Sequence, residues 1–185
     1  MRRIVYSVAA SLDGFIAGPQ GEYDWIPMDP DIDFTALFAA YDTALMGRRS
    51  YEVAVKTGWS MPGITPLVVS RTLESAPPGV SLIRDVAREV PALKAAPGKD
   101  IWLWGGGELF RSLLDLGLVD QVEVAVVPAL VSQGVALLAP AARRAMLELK
   151  DHRLYPKSGI VMLRYAVQPP GVAASMPYHG RGGLD

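Results

Sequence analysis

The apolar run from Asp100 to Trp104 breaks directly into Gly105-Gly106-Gly107. A helical pattern follows at once, with Leu109, Phe110, Leu113 and Leu114 on one face up to Gly117. A further apolar strand, Val122 to Val127, comes next and is closed by Pro128. Strand, glycine turn, helix and strand in that order belong to an α/β sheet.

The rest of the chain repeats this alternation. Arg2 to Ala10 reads as a central strand. Ser11 to Pro30 is a long loop rich in Gly, Pro and Asp. Phe34, Leu37, Phe38 and Tyr41 have helical spacing, and Asp31 and Asp33 suit its amino end. Strands are expected at Thr43–Met46, Pro66–Ser70 and Val80–Ile83, and helices at Arg48–Lys56 and Asp85–Ala96, the latter containing Pro91. Met146–Tyr155 and Gly159–Val167 form a closing antiparallel hairpin. The Pro/Gly-rich tail from Gln168 carries no pattern and is expected to be mobile.

Composition excludes several function classes. A chain of 185 residues is one domain by default. The formal net charge of −1 gives no bulk attraction to nucleic acid or acidic membranes. Zero cysteines rule out disulfides, thiolate metal sites and cysteine nucleophiles. His152 and His179 are the only histidines and lie far apart, which leaves no multi-histidine metal site. Met1-Arg2-Arg3 before an apolar stretch has the outline of a signal peptide. The stretch is short, contains Tyr6 and Ser7, and reads better as a strand, so a cytoplasmic protein is expected.

Three segments leave strand ends with anion-binding chemistry. Gly105-Gly106-Gly107 lets the backbone approach a phosphate at a helix amino terminus. Gly47-Arg48-Arg49-Ser50 and Ser70-Arg71-Thr72 bring guanidinium groups to two more strand ends. Several phosphates along one sheet edge mean a dinucleotide. Arginines in place of an acidic residue favour a ribose 2′-phosphate, hence NADPH. No G-x-G-x-x-G follows the first strand, so the usual Rossmann fingerprint is missing. A glycine triplet is also a common tight turn, and a lone arginine is commonly a solvated charge.

The ordered motifs carry a family resemblance. They are Ser11-Leu12-Asp13-Gly14 with Ile16 and Gly18, Asp42 through Glu52, Val69-Ser70-Arg71, Trp104 through Phe110, and Gly117 through Asp120 leading to Val127-Pro128. Over roughly Arg2 to Val167 the chain resembles the dihydrofolate reductase-like fold. It is more closely similar to the reductase domain of bifunctional riboflavin-biosynthesis deaminase/reductases and their stand-alone relatives.

The resemblance implies a single α/β domain over 1–167 in three layers. Its central sheet is mixed but mostly parallel, with a C-terminal antiparallel hairpin and helices on both faces. It implies hydride transfer from NADPH, with no metal and no covalent intermediate. Val8, Ala9 and Ile16 would border the nicotinamide. Gly47, Arg48, Arg49 and Ser50 would meet the phosphates, with Ser70, Arg71 and Thr72 near the adenosine 2′-phosphate. Gly105, Gly106, Gly107, Glu108 and Leu109 would hold the pyrophosphate, with a cis peptide within Gly105-Gly106. Asp31 is nearest to the family's acid by spacing from Gly47, with Asp29 and Asp33 as alternatives; each also reads as a helix cap or loop carboxylate. Trp25 reads as part of a lid over the nicotinamide or as a loop anchor. A homodimer through the outer face of Val122–Val131 is implied as well, with buried core as the simpler reading of that stretch.

Two departures separate the chain from folate reductases. Pro62-Gly63 is followed by Ile64 where that family places a carboxylate-clamping arginine, and Ala125 falls near the place of its supporting threonine. The expected substrate is a small heterocycle or sugar-derived compound. The alternatives are the riboflavin-pathway reduction of 5-amino-6-(5-phosphoribosylamino)uracil, a dihydrofolate reductase, and a non-catalytic NADP-binding or dimerisation module. Tyr51, Trp59, Trp102 and Trp104 read as core or interface residues.

Overall fold

Apolar β-branched runs such as those from Ile4 and from Val122 have nowhere to go but a buried sheet, and here they form the middle of an eight-stranded one. A computed structural model describes residues 1–58, 62–140, 144–169 and 171. The strands are β1 (Ile4–Ser11), β2 (Phe15–Ala17), β3 (Tyr41–Gly47), β4 (Thr65–Val69), β5 (Ser81–Ile83), β6 (Asp100–Gly105), β7 (Gln121–Val127), β8 (Val135–Ala136), β9 (Leu147–Tyr155) and β10 (Ile160–Val167). The helices are α1 (Phe34–Ala39), α2 (Arg48–Lys56), α3 (Val86–Ala95) and α4 (Gly107–Asp115).

The main sheet runs β5-β4-β3-β6-β1-β7-β10-β9. It is parallel from β5 to β7, and the β9–β10 hairpin adds antiparallel strands at one edge. All the parallel strands therefore point their carboxyl ends to one side, where the loops can form a common site.

Each face of the sheet buries its own cluster. On one face Tyr6 stacks on Phe110 of α4 with ring centroids 3.8 Å apart. Leu103, Leu113 and Val90 are fully buried around that pair. On the other face Val5, Ala44, Met46, Val68 and Trp102 pack together, with Phe38 of α1 and Tyr51 of α2 over them. Ile64 is buried in this second cluster. The opposite end of the sheet is tied by charge. Buried Arg2 binds Asp42, the Thr43 hydroxyl at 2.6 Å and the Lys99 carbonyl at 2.6 Å, and buried Lys94 binds the Leu118 carbonyl at 2.9 Å and Asp120.

The structure corrects two expectations. Tyr41 opens β3 instead of closing α1, because its ring is buried in the sheet cluster against Trp102. The loop from Ser11 to Pro30 is not wholly irregular: β2 pairs with β8 in a small second sheet. Asp13 holds that pairing, accepting from the backbone N–H of Val131 at 3.1 Å and of Ser132 at 2.7 Å. Of the two readings of Val122–Val131, the structure shows buried core over β7, which lies between β1 and β10 with Val122, Val124 and Val127 buried. Trp102 and Trp104 both pack in or against the core as expected, but they also face the cleft described below. His152 lies exposed on β9; Trp59, His179 and most of the tail lie outside the described residues.

Candidate functional site

Two helices begin on glycine at the carboxyl ends of strands. α2 starts after Gly47 at the end of β3, and α4 starts after Gly106 at the end of β6. Neither has a side-chain cap. The other two helices are capped, α1 by the Asp33 carboxylate on the Ala36 N–H and α3 by Asp85 on the Arg88 N–H. The first-turn N–H groups of α2 and α4 thus lack the acceptor a helix usually supplies from its own chain. Both termini open onto one cleft of about 1100 Å³.

Glycine at these starts keeps space open. A Cβ on Gly47 would meet only ordinary contacts, 3.8 Å from the Gly105 carbonyl, and one on Gly106 would lie 3.7 Å from the Ser50 hydroxyl. Gly107 is different, because a Cβ there would come within 2.5 Å of the Ala136 carbonyl. It lets β8 pack directly on α4. The Gly105–Gly106 peptide is cis.

Cationic side chains surround the same opening. Arg48, Arg49 and Arg71 all line the cleft and are exposed. Arg48 reaches Glu52 one helical turn away at 3.0 Å. Among the described residues Arg49 and Arg71 form no ion pair, so their charges face the cleft uncompensated. Ser70 is buried; its hydroxyl accepts from the Leu73 N–H at 2.9 Å and shapes the turn that presents Arg71. Thr72, Ser50, Glu108 and Leu109 line the cleft too.

The cleft continues past β1 into an apolar half. Val8 and Ala9 form its floor, with Ile16 from β2. Phe34, Phe38, Trp102 and Trp104 make a continuous aromatic wall, with successive ring centroids 6.0, 5.1 and 6.3 Å apart. Ala125 and Met162 close the far side.

Nearly all residues expected around a dinucleotide therefore meet at one cleft. Gly105 does not line it and contributes through its peptide with Gly106. The expected acids do not line it either. Buried Asp29 accepts from the N–H of Asp31 at 2.8 Å and of Ser158 at 3.0 Å, and the Ser158 bonds hold its carboxyl below the usual range. Asp31 pairs with Lys157 at 2.8 Å, and Asp33 caps α1. Each carboxylate satisfies a local partner, and the spacing from Gly47 carries no information on which way it turns. Trp25 does not line the cleft; it packs against the buried cluster of Ala125, Val127, Tyr155 and Ile160, and its indole N–H is buried without a hydrogen-bond partner among the described residues. Sequence reading missed Ser7, which lines the cleft. It also took Phe34 and Phe38 only as an apolar helix face, since a core wall and a cleft wall share one periodicity.

This sheet order, hairpin edge and strand-end cleft define an α/β domain of the dihydrofolate reductase-like fold. The fold is shared by a putative riboflavin biosynthesis protein from Shewanella sp. PV-4, with a TM-score of 0.79 at 24% identity over 91% of this chain and 100% of that one. It is shared also by dihydrofolate reductase from Enterococcus faecalis complexed with NADP(H) and RAB-propyl, with a TM-score of 0.66 at 16% identity over 90% of this chain and 97% of that one. The chain belongs to the RibD C-terminal domain family, which it matches over residues 2–161. The uncharacterized protein YyaP of Bacillus subtilis (strain 168) is 35% identical over 178 residues, covering 89% of this chain and 94% of that protein. Family and fold together support a reductase-type function.

Proposed function

We propose that residues 1–167 form an NADPH-dependent reductase domain acting on a small heterocyclic or sugar-derived substrate. One observation carries the reading: two uncapped helix amino termini, and Arg49 and Arg71, which form no ion pair among the described residues, surround a single cleft that runs on into an apolar half. The donor set fits a dinucleotide. The α2 and α4 N–H groups suit a diphosphate, and Gly47 and Gly106 leave room for it. Arg71, on the turn after β4, suits a further phosphate on the adenosine ribose.

NADPH, when bound, supplies a hydride at its nicotinamide ring. The chain's own residues bind, orient and dry the site. Val8, Ala9 and Ile16 give a flat apolar seat that excludes water beside the reacting carbon. The aromatic wall from Phe34 to Trp104 positions the acceptor above that seat. Glu108 is the only carboxylate among the described lining residues, and it lies at the α4 terminus. The proton accordingly reaches the acceptor from solvent, with Asp31 held on Lys157. Ile64, buried in the core, offers nothing to a carboxylate tail, which weighs against folate as substrate.

The protein is taken to work in the cytoplasm; no helix among the described residues is long and apolar enough to cross a membrane. A homodimer belongs to the same reading, with its contact moved to the outer hairpin. There Leu147, Leu149 and Leu154 of β9 are 41%, 51% and 60% exposed.

Chromatography on immobilised adenosine 2′,5′-bisphosphate tests the cofactor assignment. The protein is expected to be retained and released by NADP⁺ but not by NAD⁺. Flow-through without retention would contradict it.

A further inference from the structure

The apolar half of the cleft specifies what can lie there. Four charged side chains line the cleft among the described residues, Arg48, Arg49, Arg71 and Glu108, and all belong to the strand-end half. The other half presents the rings of Phe34, Phe38 and Trp102 in mutual contact. An anionic group placed against them would lose its hydration with no counter-charge, at a cost of several kcal/mol or more. A flat uncharged ring system would instead stack and bury apolar surface.

One polar side chain lies in that half's floor. Ser7 follows Tyr6 on β1 and so projects to the opposite face, towards α1 and Trp102. It is buried to 8% exposure yet lines the cleft. The Trp102 indole N–H donates to the Ser7 carbonyl at 2.8 Å, which fixes the backbone next to the wall. Burial keeps the phenol of nearby Tyr41 protonated, so no charge from it reaches Ser7. Glu123, opposite Ser7 in the β1–β7 register, is already occupied by Arg164 at 2.7 Å and Gln121 at 2.7 Å. Ser7 thus adds a neutral, buried hydroxyl-bearing residue to the apolar half of the cleft.

We propose that the acceptor is an uncharged, planar, conjugated carbonyl compound that stacks on the Phe34–Phe38–Trp102 wall with its oxygen on the Ser7 hydroxyl. This rests on the reductase reading and narrows its substrate class. In turnover the carbonyl carbon gains a hydride from the reduced dinucleotide, which is oxidised. The C=O π pair moves to oxygen, held by Ser7, and a solvent proton completes the alcohol. Ser7 selects and orients the oxygen, and its own proton stays in place.

Binding of three probes, followed by tryptophan fluorescence in saturating NADP⁺, tests the assignment: acetylnaphthalene, naphthalene, and an acetylnaphthalene bearing a ring carboxylate. The neutral ketone is expected to bind more tightly than the carboxylate by at least about tenfold. Ser7→Ala is expected to weaken the ketone by about tenfold and leave naphthalene unchanged, while Ser7→Thr, which keeps the hydroxyl, restores the preference. Equal binding of the carboxylate, no binding of any ring probe, or an unchanged ketone-to-naphthalene ratio in Ser7→Ala would each overturn the proposal. NADP⁺ affinity, measured in the same samples, reports on the reductase reading separately: its absence would sink that reading, whatever the probes do.

Discussion

Asp29, Asp31 and Asp33 lie within five residues of one another, and each carboxylate is committed differently. Asp29 is buried and accepts two backbone N–H bonds, and its carboxyl titrates below the ordinary value of 3.8. A group with a depressed folded value contributes stability above its unfolded value and loses it as pH falls through the folded value. Urea unfolding should therefore show Asp29→Asn less stable than the parent near neutral pH. The gap should narrow below about pH 3–4, as the parent's carboxyl becomes protonated. Asp31, in contrast, is held in an exposed pair with Lys157. Asp31→Asn should change stability by less than about 1 kcal/mol and leave any NADPH-oxidising turnover within roughly threefold. A loss of turnover by orders of magnitude would place Asp31 in the chemistry. Among the cations, Arg49→Ala and Arg71→Ala should each weaken NADPH binding by about tenfold or more, the range of a lost charge-assisted hydrogen bond. For the variant that faces the 2′-phosphate, NADH affinity should stay put. Parallel calorimetric titrations would show both.

At the scale of elements, two glycines at helix starts make opposite demands. Gly47 faces open cleft and Gly107 faces the Ala136 carbonyl. Gly47→Ala should fold with an unchanged Tm but bind NADPH poorly, because its methyl would enter the space proposed for a phosphate. Gly107→Ala must push β8 off α4 and should cost about 1–3 kcal/mol. Paired thermal melts and NADPH titrations separate the two effects. The sequence made these elements legible to different degrees. The long strands and the glycine–helix junctions stood out because local pattern and tertiary role agree. β2 and β8 did not, because they have three and two residues and their pairing depends on the Asp13 carboxylate reaching Val131 and Ser132 about 118 residues away. The aromatic wall hid for another reason: Phe34 and Phe38 read as buried, and nothing in a 3.6-residue period says whether core or ligand lies opposite. The partners of the acids were not legible because a spacing fixes a backbone position but leaves the rotamer open, and Lys157 is far away in sequence.

For the molecule as a whole, the sheet divides labour along its width. The parallel strands β3, β6 and β1 carry the cleft at their carboxyl ends, and the charged ties of Arg2 and Lys94 lie at the other end. The hairpin edge extends past the core and leaves leucines on β9 in water. If a dimer forms there, Leu149→Glu with Leu154→Glu should give a monomer in sedimentation velocity, with the Tm of the fold little changed. A parent protein that sediments as a monomer would remove the dimer from the account.

One cleft, framed by two uncapped helix starts and arginines, is proposed to take NADPH in preference to NADH. The most direct measurement is a parallel titration of both dinucleotides, followed by tryptophan fluorescence and thermal midpoint. The account predicts micromolar NADPH binding, a raised Tm, and NADH binding weaker by about tenfold or more. Equal affinities would contradict the role given to the arginines, and no binding of either would contradict the reductase reading itself.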